Sequence, residues 1–185
     1  MSASSDLQTA IVNLLSQPNA LRVSVPIVAR RPKDLASDIE AASASNGLCI
    51  WTMPPLPTSA MQGVQIVFFD KSEVRVRIVE QPAMNSLTAD AYDLIDDVAT
   101  ALHWQPERGI NAAVQAVIQS QGVTTDEALS IVQADPANAA LCELGAILSH
   151  PLELAVRPTE MAEDQRFRII DVIFNAVYEL NPSGA

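Results

Sequence analysis

The sequence of 185 residues predicts an α+β fold, in which a mixed and mainly antiparallel sheet packs against amphipathic helices. Residues 73–80 alternate apolar and charged side chains, which is typical of a strand with one buried face. Residues 89–103 and 107–149 instead repeat apolar side chains at helical spacing. The high hydrophobic fraction, 49%, excludes general disorder, and the length suits a single domain, residues 1–185, with a helical insertion at 105–149.

The first quarter of the chain is predicted to alternate helices and strands. Apolar residues at helical spacing predict a helix over residues 7–15, and alternating valines predict a strand over 21–29. A second helix is expected at 33–45, because a proline suits its first turn and Asn-Gly follows it. Residues 47–53 are predicted to form a short central strand.

A long antiparallel β-hairpin is the clearest element that the sequence predicts. Residues 64–69 and 73–80 are its strands, and the polar residues 70–72 are its turn. The preceding segment, 54–63, contains three prolines and is predicted to be neither helix nor strand. It is either a surface connection or an arm that reaches a neighbouring subunit.

The second half of the chain is predicted to be helical and then to return to the sheet. Thr88 is the expected N-cap of the helix over 89–103, and residues 124–127 match a capping box within 107–149. Two strands, 152–157 and 167–180, are predicted to flank a polar turn at 158–166, with a helix as the alternative for 167–180.

The net charge of −11 limits the partners that this protein can bind. Such a surface repels phosphate backbones, so the charge excludes sequence-reading binding of nucleic acid but allows DNA to pass without specific binding. The N-terminus lacks the basic and apolar regions of a signal peptide, and no apolar run approaches the roughly 20 residues of a membrane span. These features predict a protein made in the cytoplasm.

The sequence offers no convincing catalytic constellation, so we expect neither an enzyme nor a cofactor site. Cys49 and Cys142 lie in separate apolar runs and are predicted to be buried free thiols. His103 is expected to close a helix and to have no metal-binding partner, whereas His150 precedes a proline. The aspartates at 90, 93, 96 and 97 have helical spacing, which favours a solvated face over a metal site.

Two arginines on the polar face of the predicted hairpin are the best candidates for contacts with another subunit. Arg75 and Arg77 belong either to a solvated strand face paired with acids or to an interface, where arginine is enriched. The predicted subunit interface comprises Leu56, Met61, Arg75, Arg77 and Glu80.

Residues 74–85, VRVRIVEQPAMN, resemble a strand and turn of small bacteriophage and prophage tail proteins, and the element order over 1–104 and 150–180 resembles the tail-terminator, or tail-completion, family. The resemblance implies a structural virion subunit in the tail or neck, made in the host bacterial cytoplasm. It implies a homo-oligomeric ring, usually of six subunits, that caps the tail tube and joins it to the head. Its implied partners are tube, sheath and head–tail connector proteins. Residues 105–149 depart from the family plan.

Two alternatives to a tail terminator remain open. The first is another structural protein of the particle: a different tail protein, a baseplate protein or a head-completion protein. The second is a small cytosolic enzyme or ligand-binding protein, which predicts a deep polar pocket that contains a strongly shifted titratable group.

Overall fold

A computed structural model describes residues 3–29, 46–62, 68–103, 105–148, 152–164 and 166–180. The described helices are α1 (Ala3–Leu15), α2 (Ala91–Leu102), α3 (Gln105–Gln121), α4 (Thr125–Ala134) and α5 (Ala139–Ile147), with a 3-10 turn at Pro136–Asn138. The described strands are β1 (Ile27–Ala29), β2 (Leu48–Thr52), β3 (Leu56–Gln62), β4 (Phe68–Glu80), β5 (Glu153–Asp164) and β6 (Phe167–Leu180). The predicted α+β class is confirmed.

The strands form one mixed sheet in the order β1-β2-β4-β6-β5. β1 and β2 are parallel, and the other pairings are antiparallel. β3 also pairs with β4, on the same side as β2. β3 pairs with the N-terminal part of β4, residues 68–73, and β2 with its C-terminal part, residues 76–80. The centre of the sheet is the β4–β6 ladder, which runs without a break from the pair Phe68–Leu180 to the pair Glu80–Arg168. At about 3.4 Å per residue, this ladder is roughly 40 Å long.

The main core lies between the helices and one face of the sheet. The residues of β4 and β6 on this face alternate along each strand, as its two-residue period requires: Val74, Val76, Ile78, Ile170, Val172, Phe174 and Ala176. They pack with apolar residues of α1, α2 and α5. The buried members of this core include Leu7, Ile11, Leu14, Leu48, Ile50, Val74, Val76, Ile78, Leu94, Val98, Leu102, Leu144, Ile170, Val172 and Phe174.

The opposite face of the sheet carries a second and smaller cluster. Cys49, Trp51, Val79 and Ile169 are buried in it, and Val28 and Phe167 pack against them. Because both faces contain buried side chains, β2 reads as a continuously buried strand, in agreement with the prediction of a central strand at 47–53.

Two of the predicted helical regions are confirmed, with one corrected boundary. α2 begins two residues later than the capping residue Thr88 suggested, because Asp90 is its N-cap and accepts hydrogen bonds from the amides of Tyr92 and Asp93. His103 is the C-cap, as expected, and its Nδ1 lies 3.0 Å from the carbonyl oxygen of Leu152. The region predicted to be helical at 107–149 contains α3, α4 and α5.

α3 and α4 enclose a small core of their own around Val114, Ala128 and Val132. α4 begins with the predicted capping box: the hydroxyl of Thr124 accepts from the amide of Glu127, and the Glu127 carboxylate accepts from the amide of Thr124 at 2.9 Å. The Thr124 hydroxyl also donates to the Glu127 carboxylate, at 2.8 Å, and the two bonds that this carboxylate accepts, first that from the amide and then that from the hydroxyl, lower its pKa.

Replacing Thr124 by alanine is expected to lower the free energy of unfolding by about 1 kcal/mol, because it removes the oxygen that satisfies the first turn of α4. Denaturant titration of both proteins measures the change. Thr125 is exposed one position further along, so Thr125→Ala is the matched control and should cost less. Equal losses would show that the cap contributes nothing.

The predicted hairpin is not confirmed in the form that the sequence suggested. Residues 70–72, expected to be its turn, lie inside β4 and pair with β6 on one side. Residues 63–67, which include most of the first predicted strand, lie outside the described part. The strand that is antiparallel to the start of β4 is β3, at Leu56–Gln62.

Two further predictions were wrong, one made from prolines and the other from polar residues. Residues 54–63 were expected to form no strand, yet β3 occupies most of them, and the register shifts between Pro57 and Ser59. The polar segment 158–166 was expected to be a turn, yet β5 continues to Asp164 with three register shifts. An outer strand tolerates proline, since the missing N–H need not face another strand.

The remaining expectations have mixed outcomes. The helix at 7–15 and the strand at Phe167–Leu180 are confirmed, so the helical alternative for 167–180 is wrong. The strand predicted at 21–29 is reduced to Ile27–Ala29. The helix predicted at 33–45 lies outside the described residues.

Candidate interaction surface

Arg77, a predicted interface residue, is an internal structural group. It is an odd-numbered residue of β4, so it points away from the helices, and it lies directly opposite Asp171 of β6. Its Nε and Nη2 donate to the two carboxylate oxygens of Asp171 at 2.8 and 3.1 Å. The side chains are only 7% and 3% exposed. This bidentate and desolvated pair ties the two central strands together.

Arg75 extends the same ion-pair network toward the surface. Its Nη2 lies 2.6 Å from Oε1 of Glu73, and its Nη1 lies 3.4 Å from Oδ2 of Asp171. The Arg75 side chain is 29% exposed, so one edge of the guanidinium reaches the protein surface. We call these four residues, Glu73, Arg75, Arg77 and Asp171, the β4–β6 ion network.

Glu80 is also buried within the subunit, at the far end of β4. Its carboxylate accepts from Asn85 at 2.7 Å and from Arg168 at 2.7 Å, and the amide of Ala91 lies 3.3 Å away. The Arg168 guanidinium also lies over the ring of Tyr92, 4.8 Å from its centroid. Glu80 therefore joins the ends of β4 and β6 to the loop that precedes α2.

The other two predicted interface residues lie on β3. Leu56 is 54% exposed, and it is the large apolar residue with the highest exposure among those described. Met61 pairs with Phe69 of β4 through the backbone, and its side chain is outside the described part. A contact of Leu56, Met61 or Arg75 with another subunit stays a prediction, whereas the Arg77 and Glu80 side chains already have buried partners within their own subunit.

Two aspartates of α2, Asp93 and Asp97, form ion pairs with Arg22 that the sequence did not predict, and we call the Arg22–Asp97 contact the Asp97 clamp. Arg22 binds Asp97 through its side chain, at 2.9 and 3.0 Å, and through its backbone amide, at 2.9 Å. Its Nη1 also lies 2.8 Å from Oδ1 of Asp93. Desolvation would raise the pKa of Asp97, but the hydrogen bonds and charge of Arg22 outweigh this effect and lower it. Asp96 is exposed, as expected for a solvated face.

The Asp97 clamp should make stability depend on pH in a defined direction. Because the folded pKa lies below the ordinary value of 3.8, the clamp stabilises the protein above that value and is lost as pH falls through the folded pKa. We expect Asp97→Asn to be less stable than the wild type at pH 7, with the difference shrinking as pH falls below 3.8 and vanishing once Asp97 is protonated in the folded protein. Thermal unfolding across this range measures it, and Asp96→Asn is the control. A difference that persists at low pH would contradict the ionic origin.

The two cysteines lie in different environments. Cys49 and Cys142 are free, the first buried and the second half-buried. Burial raises the pKa of the Cys49 thiol to about 12, so this thiol is uncharged and inert at neutral pH. Within the described ranges, no group of three histidine, cysteine or acidic residues is close enough to hold a metal ion.

Two surface hollows flank the end of α1, and both are lined by uncharged residues. The larger, about 370 Å³, is lined by residues 15–19 at the end of α1 and by residues between 21 and 27, and it mixes apolar side chains with Ser16, Gln17, Asn19 and Ser24. The smaller, about 280 Å³, is lined by residues of α1, of α5 and of the loop at 17–20, together with Thr100 and Ala101. No titratable side chain lines either hollow, so neither has the features expected of an acid–base site.

Charge is distributed very unevenly along the chain. Residues 90–148, which form α2 to α5, contain nine acidic residues and one basic residue, a net of −8 out of −11. Residues 41–69, which include β2 and β3, contain no charged residue. The helical layer is therefore strongly acidic, whereas β3 belongs to a long uncharged stretch.

The residues that sequence reasoning missed all depend on contacts between distant segments. Asp171 is 94 positions from Arg77, and Arg168 is 88 positions from Glu80. The one available signal was an isolated aspartate within the apolar strand 167–180. Its partner follows only from the register of β4 against β6.

Comparisons with known proteins do not assign this chain to a family. No protein-family model matches the sequence, and a search of curated proteins found no similar one. Within the described residues, no helix is long and apolar enough to cross a membrane.

Proposed function

We propose that this protein is a structural subunit of a bacteriophage tail or tail-like particle, in which it forms the ring that ends the tail tube and joins it to the neck. The observation that carries the proposal is the separation of charge: an acidic helical layer beside an uncharged stretch that contains β3 and the exposed Leu56. An acidic wall repels DNA and lets it pass, and an uncharged surface allows acidic copies to approach one another.

The internal ion pairs support a structural role as well. Arg77, Asp171 and Glu80 are buried and bonded to groups of the same subunit. Arg22 joins the loop after α1 to α2. These contacts hold the sheet and the helical layer together, which suits a subunit that must keep its shape in an assembly.

The oligomeric state of the purified protein gives the first test. We expect light scattering after size-exclusion chromatography to give about six times the chain mass of 19.8 kDa at high concentration. Electron micrographs should then show rings.

The effect on particles gives the second test. We expect deletion of the gene from the encoding phage or prophage to give tails of irregular length, and complementation to restore the normal length. A protein that stays monomeric, together with normal tails after deletion, would overturn the proposal. Normal tail length combined with absence of the protein from tube ends would instead favour a baseplate or head-completion role.

A further inference from the structure

The outer edge of β3 differs from the other two outer edges of the sheet. β1 has three residues and offers little length for pairing. β5 has twelve residues, but they include Pro158 and five charged residues, and its pairing with β6 has three register shifts. Charges, proline and bulges are the features by which proteins prevent outer strands from pairing with other chains. β5 is therefore protected.

β3 lacks most of this protection. It contains no charged residue, and its one register shift lies between Pro57 and Ser59. From Ser59 to Gln62 it pairs regularly with residues 68–71 of β4. Among the described strands, none pairs with its other side, so alternate N–H and C=O groups of this segment point away from β4.

We propose that the outer edge of β3, residues 59–62, pairs with a strand of a second copy of this chain and thereby extends the sheet between subunits. The occupant follows from charge. Two copies at −11 repel each other at most surfaces, and residues 41–69 are the longest stretch that carries no charge. Backbone hydrogen bonds need no charged partner, and Leu56 supplies exposed apolar surface at the start of the same strand. This inference rests on the proposed assembly of the protein.

One added charge on the edge tests the pairing. Position 59 pairs with position 71 of β4 through the backbone, and Ser59→Glu adds a charge to the outer strand there, the kind of feature that prevents an edge from pairing with another chain. We expect the affinity between subunits to fall roughly tenfold. Ala155 is exposed on β5, so Ala155→Glu adds the same charge to the protected edge and should leave the affinity within about twofold. Analytical ultracentrifugation gives the affinities, and circular dichroism checks that both variants fold.

Hydrogen exchange of the wild-type protein gives a second measurement that needs no variant. Amides of residues 59–62 should exchange more slowly in the assembled protein than in dilute monomer, whereas amides of β5 should be unchanged. Assembly without this protection, or assembly that Ser59→Glu and Ala155→Glu weaken equally, would overturn the β3 contact and leave the ring proposal standing. A protein that is monomeric at all concentrations would overturn both.

Discussion

Arg77→Met is expected to lower the free energy of unfolding by about 3–5 kcal/mol, because it leaves a buried carboxylate without its main partner. Asp171 is 3% exposed and would lose hydrogen bonds of 2.8 and 3.1 Å. Its remaining cation would be Arg75, whose Nη1 lies 3.4 Å away. Methionine retains most of the buried hydrocarbon of arginine, so the loss reports on charge and not on packing. Urea denaturation followed by tryptophan fluorescence measures the change.

Two further variants separate the charge effect from other causes. Arg166 is exposed and lies over the Phe167 ring at 5.7 Å, so Arg166→Met removes a similar side chain at a cost below about 1 kcal/mol. The double variant Arg77→Met/Asp171→Leu removes both buried charges and should recover most of the lost stability. If the double variant were as unstable as Arg77→Met alone, the unpaired carboxylate could not be the cause.

The strands show which features of the fold local sequence can predict. Alternation in 73–80 identified the second half of β4 correctly, because Val74, Val76 and Ile78 are buried against the helices. The polar residues 70–72 were mistaken for a turn, since Asp, Lys and Ser are common in turns. Pairing with β3 on one side and β6 on the other keeps them extended. Tertiary pairing thus outweighed local preference.

The same distinction applies to the candidate interaction surface. The sequence predicted that Arg75, Arg77 and Glu80, three charged residues of one strand, contact another subunit. It did not place Arg77 and Glu80 inside the subunit, because burial depends on which residue of β6 lies opposite. The regular spacing of a strand gives its faces, but a shift of its partner by two residues would preserve those faces and change every ion pair. The capping box at Thr124 was predictable, since its atoms lie within one helical turn.

Gly47→Ala is expected to lower the free energy of unfolding more than an alanine at Gly109, Gly122 or Gly145 would. Gly47 joins the turn before β2 to the loop after β4: its carbonyl oxygen accepts from the amide of Gln81 at 2.7 Å. An added Cβ would lie 2.4 Å from the amide nitrogen of Asn85 and 2.5 Å from the carbonyl carbon of Met84. Both are backbone atoms, so no side-chain rotation relieves the overlap, and the loop that Glu80 holds through Asn85 must move.

Gly122 provides a matched control for the conformational part of this effect. Both glycines have positive φ, +77° for Gly47 and +68° for Gly122, but a Cβ on Gly122 would meet nothing within 4 Å. Gly122→Ala should therefore lower the free energy of unfolding by only about 1–2 kcal/mol, because alanine is strained in the left-handed backbone conformation. Gly47→Ala should lower it by at least about 4 kcal/mol. Asparagine tolerates positive φ better than alanine, yet Gly47→Asn retains the overlap and should remain strongly destabilised. Denaturation midpoints give the comparison. Equal losses for the two alanine variants would mean that the loop at Asn85 moves aside freely, and that the Gly47 contact does not fix the end of the sheet.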